Sequence, residues 1–185
     1  MAADRVASAL ADFDFVEAVA LIGSVARPLW REVPRFDPYR RLRLPIAHEC
    51  KDVDLAAWVS RLDRLDELRR ARIRATGELL AEAGVGVAVH QAEIFLFEPG
   101  TDRYLGRVCY YGRCPAEKRA CSAKGCGREP FLKQMDGFTL WPQTLADGAI
   151  LRLYDRGGGG IIARAIDLPS LVLDEEPPRR EHQRQ

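Results

Sequence analysis

The stretch VEAVALIGSVAR, from Val16 to Arg27, decides how the fold begins. Its first seven residues are mostly apolar or β-branched, and Gly23-Ser24 ends the run. Such a run followed by a turn is typical of a buried strand that delivers its carboxyl end to a tight turn. Glycine also permits close approach of the backbone to a ligand. The stretch therefore predicts a strand from Val16 to Ile22, followed by a candidate ligand-binding turn.

A second string, KDVDLAAW from Lys51 to Trp58, places two carboxylates before an apolar run. Alternate side chains of a strand share a face, so Asp52 and Asp54 are expected roughly 6.6 Å apart on one face at a rise of about 3.3 Å per residue. That separation suits carboxylates that share two divalent ions held about 3.5–4 Å apart. Each string also has a plainer interpretation, a simple turn for Gly-Ser and a solvated strand face or cap for Asp-x-Asp.

In this order the two strings resemble the nucleotidyltransferase superfamily that includes DNA polymerase β and the minimal nucleotidyltransferases. Its pattern is an apolar strand, Gly-Ser, a spacer and Asp-x-Asp or Asp-x-Glu. Gly23, Ser24 and Arg27 match the first part and would hold the phosphates of an NTP, with ATP as the expected donor. Asp52 and Asp54 match the second part, although the spacer is longer than usual. The resemblance covers about the first half of the chain.

This resemblance implies an α/β (α+β) domain of the polymerase β-like nucleotidyltransferase fold, a mixed β-sheet with helices packed mainly on one face. It also implies transfer of a nucleoside monophosphate from the NTP to a hydroxyl of an acceptor by a two-metal mechanism. The acceptor, a small molecule, RNA or a protein, stays open, as does the oligomeric state.

A two-metal transferase needs a third acid from a neighbouring strand, and Glu93 is the candidate. It lies in AEIFLF, from Ala92 to Phe97, where a carboxylate is costly unless it is paired, hydrogen-bonded or bound to a cation. The resemblance then implies that Asp52, Asp54 and Glu93 bind Mg²⁺ (or Mn²⁺) as catalytic residues. The alternative is a Glu93 at the start of the strand, exposed or salt-bridged to an arginine.

Residues 28–48 form a basic, proline-rich insertion between the two strings. Its four prolines argue against one continuous helix. Its arginines indicate a cationic flap over the triphosphate or over a polyanionic acceptor. A solvated loop whose arginines pair with acids of the following helix explains them equally well.

Residues 109–128 form a cysteine-rich loop. Four thiolates at this spacing, C-x4-C-x6-C-x4-C, can close a tetrahedral Zn²⁺ site. Such a zinc would be structural, because four cysteine ligands leave no open coordination position. The alternatives are unligated cysteines, or three cysteines with a histidine. The predicted ligands are Cys109, Cys114, Cys121 and Cys126.

Length and composition limit the remaining possibilities. The 185 residues suffice for a single domain, predicted over residues 1–173, with a charged, disordered tail over 174–185. The 28 Lys+Arg residues balance 27 Asp+Glu residues, so total charge does not indicate an overall polyanion-binding protein. The sequence shows no secretory signal and no apolar run long enough to span a bilayer. With an odd number of cysteines, five, these features predict a cytoplasmic protein without a membrane partner.

Apolar periodicity predicts the other elements. These are a helix from Ala2 to Ala11, a strand from Val53 to Ala57, a helix from Val59 to Ala83 that covers one sheet face, a strand from Val87 to Phe97 interrupted near His90, a strand from Tyr104 to Tyr111, and a hairpin formed by Ala149 to Tyr154 and Ile161 to Ile166.

The leading hypothesis is a metal-dependent nucleotidyltransferase. The alternative is a catalytically inactive copy of that scaffold that acts as a zinc-containing nucleic-acid- or protein-binding module. The two hypotheses differ over Glu93, because two-metal chemistry requires its carboxylate beside Asp52 and Asp54.

Overall fold

A computed structural model gives the fold and describes residues 1–26, 42, 52–84, 86–114, 126, 129–134 and 137–168. The predictions for Arg27, for Cys121, for all but one residue of the 28–48 insertion and for the 174–185 tail lie outside the described residues.

Two α-helices occur in the described part of the chain, α1 (Ala2–Ala11) and α2 (Leu65–Ala83). Helix α1 has the predicted bounds. Helix α2 begins later than predicted, because Val59 still belongs to the preceding strand. Gly84 ends α2 in the left-handed conformation, which glycine adopts without steric cost. Neither helix is long and apolar enough to cross a membrane.

In the part of the chain that the structure describes, seven strands form one mixed sheet in the order β5-β4-β3-β2-β1-β6-β7. The strands are β1 (Val16–Ile22), β2 (Val53–Val59), β3 (Ala92–Phe97), β4 (Tyr104–Val108), β5 (Leu132–Lys133), β6 (Leu151–Asp155) and β7 (Gly160–Ile161). Strands β2 and β3 pair in parallel, and the other neighbours in this order are antiparallel. The predicted class, a mixed sheet with helices, is confirmed at this level.

Strand β1 has the predicted bounds, whereas several other elements are shorter than predicted. A 3₁₀ turn over Val89–Gln91 interrupts the third apolar run near the predicted position, so β3 begins only at Ala92. The predicted hairpin is formed by β6 and β7, but β7 contains two residues and a 3₁₀ turn over Ala165–Asp167 follows it. Strand β4 ends at Val108 rather than at Tyr111.

Helix α2 connects the two parallel strands β2 and β3, since a parallel neighbour requires the chain to return along the sheet. Helices α1 and α2 both contribute to a large core on one face of the sheet, with strand residues such as Val19, Leu55 and Ile94. A smaller core on the opposite face contains Ala20 and Ala56 and is covered by loop residues rather than by a helix.

Strand alternation decides which face carries the acids. Ala56 and Phe95 belong to the smaller core, and Asp54 and Glu93 precede them by two residues each. Side chains two residues apart in a strand share a face. Asp54 and Glu93 therefore lie on the face opposite the helices, at the end of the sheet where β1 leaves and β2 and β3 begin.

Candidate functional site

The strand register places the Asp-x-Asp string between β1 and β3. Asp54 pairs with Ile22 on one side and with Glu93 on the other. Neighbouring strands are about 4.8 Å apart, and directly paired residues share a face. Glu93, the predicted third acid, therefore lies beside Asp54 on the neighbouring strand.

The glycine turn after β1 contacts the same carboxylate. Gly23 has a φ of +77°, and a Cβ atom added to it would lie 3.0 Å from the Asp54 Oδ2 atom. Ser24 follows in a short 3₁₀ turn and is exposed. The two strings that the sequence singled out thus meet in space, and a side chain at position 23 would have to displace the Asp54 carboxylate.

Gly23→Ala is expected to destabilise the fold by about 1–2 kcal/mol, the usual cost of a left-handed non-glycine residue. It should also weaken Mn²⁺ binding, because the added methyl group displaces the Asp54 carboxylate. Urea unfolding and Mn²⁺ titration measure the two effects. Gly84→Ala is the matched control, since Gly84 has a φ of +66° but nothing within 4 Å of an added Cβ. Equal Mn²⁺ binding by the two variants would contradict the proposed contact.

The Asp54 carboxyl group is partly buried and lies close to two other acids, Glu93 and Asp52. Burial, followed by the charges of Glu93 and Asp52, raises the pKa of Asp54 to about 6, and Arg107 opposes this rise. A carboxylate whose ionised form is disfavoured by its neighbours gains stability when a cation binds beside it. A perturbed carboxyl group of this kind is a candidate functional group.

Glu93 is held by an arginine from β4. The Arg107 Nη1 atom donates a hydrogen bond to Glu93 Oε2 in an ion pair whose side chains are 15% and 29% exposed. The guanidinium lies over the rings of Phe95 and Phe138, 5.0 and 4.9 Å from their centroids. The salt bridge to an arginine is therefore present, whereas the role of Glu93 as a third metal-binding acid stays a prediction.

Arg72, in α2, bonds to the backbone next to the candidate site. Arg72 was not singled out from the sequence. It is 1% exposed and donates to the backbone oxygens of Ala92, at 3.3 Å, and Cys109, at 3.0 Å. Burial lowers its pKa to about 10. These bonds tie α2 to the start of β3 and to the end of β4. The available signal was its spacing from Leu68 and Leu79, which places Arg72 on the buried face of the helix.

The acids suit a divalent cation by donor type and by charge, because Mg²⁺ and Mn²⁺ prefer hard oxygen ligands. Asp52 lies just before β2 and is exposed. Within the described ranges, however, no three His, Cys, Asp or Glu side chains are grouped so that they could hold a metal ion. The three-acid metal site thus stays a prediction, with Glu93 bonded to Arg107.

The cysteine-rich loop is described only in part. Cys109, Cys114 and Cys126 are thiols with intermediate exposure. The Phe131 N–H donates to the Cys114 sulfur at 3.4 Å. Because Cys121 lies outside the described residues, the structural zinc stays a prediction.

An open pocket of about 530 Å³ lies beside Glu93. Its lining includes Val89, His90, Tyr110 and Lys133. The Lys133 ammonium lies 5.6 Å from the centroid of the Tyr110 ring. The pocket therefore combines aromatic, cationic and acidic groups next to the candidate site.

Comparisons with protein-family models, with curated proteins and with solved structures give no match. The function is therefore argued from the site itself.

Proposed function

We propose that the chain is a metal-dependent nucleotidyltransferase that moves a nucleoside monophosphate from an NTP to a hydroxyl of an acceptor. The observation that carries the proposal is the contact between the Gly23 turn and Asp54, with Glu93 paired to Asp54 on the next strand. A close-approach turn for phosphates and acids for a cation are the two parts that this reaction needs.

Each group of the site has a definite part in this proposal. Asp52 and Asp54 would hold the divalent ion, Mg²⁺ or Mn²⁺. When bound, the ion would neutralise phosphate charge and lower the pKa of the acceptor hydroxyl. The backbone at Gly23 and the exposed Ser24 hydroxyl would orient the phosphates of the NTP. Because Asp54 is carried by a paired strand and Gly23 by a tight turn, these two are positioned before the substrates arrive.

The pocket beside Glu93 is the proposed place for the acceptor. Its volume, about 530 Å³, is within the range of pockets that bind small molecules or a terminal residue of a polymer. His90 and Lys133 could bind an anionic group, and Tyr110 offers an aromatic surface.

The test is incubation of the protein with α-labelled NTPs, Mg²⁺ or Mn²⁺ and a cell extract. Label transfer is expected with the wild type and not with Asp52→Ala/Asp54→Ala. The matched control is Asp12→Ala/Asp14→Ala, which removes two exposed acids with the same spacing at the other end of β1. Transfer that persists in the Asp52/Asp54 variant would refute the assignment of these two residues.

A catalytically inactive scaffold, acting as a zinc-containing nucleic-acid- or protein-binding module, is the second candidate. The Arg107–Glu93 ion pair favours it, because an arginine that neutralises the third acid makes a cation unnecessary for stability. This candidate predicts bound zinc by elemental analysis and no label transfer by the wild type with any NTP.

A further inference from the structure

We infer that the Arg107 guanidinium competes with a divalent ion for the Glu93 carboxylate. Arg107 thereby regulates metal binding at Asp54 and Glu93. The inference rests on the proposed cation-binding role of Asp54 and Glu93 and deepens it.

The surroundings of Arg107 hold its charge in one place. Glu93 and Tyr104 bond to the guanidinium, and Phe95 and Phe138 lie against it. Burial alone would lower the pKa of Arg107, but the charge and hydrogen bond of Glu93, together with Tyr104, leave it raised. A guanidinium in contact with two rings and two polar partners is preorganised, so it is a fixed part of the site.

A neighbouring ion pair shows what an ordinary surface contact looks like in the same chain. Arg103 bonds to Glu98 at 2.6 and 2.9 Å, but their side chains are 65% and 41% exposed. An exposed pair of this kind contributes little and exchanges readily with solvent. The Arg107–Glu93 pair, at 15% and 29% exposure, is much better shielded from water.

The position of this half-buried ion pair links it to metal binding. Glu93 pairs with Asp54, so the guanidinium lies close enough to oppose the rise in the pKa of Asp54 that burial and the neighbouring acids cause. A divalent ion at Asp54 would therefore meet repulsion from Arg107. The carboxylate oxygen that accepts from Arg107 is also occupied and not available as a ligand. Binding of a metal ion through this oxygen thus competes with the hydrogen bond from Arg107.

The test measures Mn²⁺ affinity without nucleotide, by calorimetry or by electron paramagnetic resonance, in a double-mutant cycle. Arg107→Met is expected to bind Mn²⁺ at least about tenfold more tightly than the wild type, because a nearby positive charge is removed and Glu93 is released. In the Glu93→Gln background the same substitution should give a gain of about threefold or less, since no carboxylate is released. Arg103→Met, the matched control, should bind as the wild type does.

Equal affinities of wild type and Arg107→Met would overturn the inference, as would the same gain in both backgrounds. If circular dichroism shows that Arg107→Met does not fold, Tyr104→Phe decides instead. That variant removes the hydroxyl that bonds Arg107 and is expected to give a smaller gain in Mn²⁺ affinity, whereas an unchanged affinity would contradict competition. A wild type that transfers label while its Mn²⁺ affinity is indifferent to Arg107 refutes only this inference, not the proposed activity.

Discussion

Asp54→Asn is expected to reduce label transfer by at least about a hundredfold, the scale of losing one preorganised electrostatic group. The amide keeps the shape of the carboxylate and its place beside Glu93 but removes the charge that would hold the cation. A rapid assay with α-labelled NTP measures the loss. Asp12→Asn, in an exposed position before β1, is the control and should retain full activity.

Asp54→Asn is also expected to have a higher free energy of unfolding than the wild type at neutral pH. The folded-state pKa of Asp54, about 6, lies above the ordinary value of 3.8, so ionisation of this group destabilises the fold. The stabilisation that comes from the protonated Asp54 carboxyl group is complete below pH 3.8 and is lost as pH rises through about 6. Asn avoids that loss, and allowing for solvent screening of a partly exposed group the gain is about 1 kcal/mol at pH 7.5.

Urea unfolding of Asp54→Asn at pH 7.5 and at pH 4 measures this effect. The gain should shrink toward zero at the lower pH, because the wild-type carboxyl is then protonated in the folded state. A variant that is less stable than the wild type at pH 7.5 would show that the Asp54 carboxylate is stabilised by its surroundings, contrary to the argument. A loss of activity combined with a gain of stability is typical of a functional group held in an unfavourable environment.

Gly106→Ala is expected to cost about 3 kcal/mol of folding stability, from overpacking and from left-handed strain together. Gly106 lies in the middle of β4 at a φ of +140°, and an added Cβ would lie 2.7 Å from the Leu132 Cδ1 atom and 2.9 Å from the Lys133 backbone oxygen. The backbone oxygen cannot move without disturbing the pairing of β4 with β5. Urea unfolding gives the loss directly.

Gly100→Ala separates the two contributions. Gly100 has a φ of +70° and nothing within 4 Å of an added Cβ, so only backbone strain of about 1 kcal/mol is expected. Equal losses in the two variants would show that the contact with β5 does not limit stability. A larger loss in Gly106→Ala would confirm that close packing of β5 requires glycine at this position.

Local patterns were sufficient for α1 and β1, whose predicted bounds agree with the structure. Each is a continuous run of one periodicity that ends at a turn, so neighbouring residues alone specify it. The predicted start of α2 was wrong because Val59 fits the apolar spacing of the helix and also continues the buried apolar run of β2. A residue that fits both a helix and a buried strand is assigned by its packing, which a local pattern does not contain.

The candidate site was also predictable from the sequence only in part. Asp54 was found from the Asp-x-Asp string, and Glu93 from its place in an apolar strand, because an acid in such a run needs a partner whatever the strand order. The identity of that partner depended on distant pairing. Arg107 reaches Glu93 because β4 pairs beside β3 with Arg107 opposite Phe95.

Short-range periodicity therefore determined the bounds of α1 and β1 and the turn that follows β1, since each depends on residues a few positions apart. The assembled sheet decided that Gly23 touches Asp54, that Glu93 lies in the adjacent register position and that Arg107 neutralises it. Strand order and register arise from contacts between segments far apart in the chain, and a pattern within one segment carries no information about them.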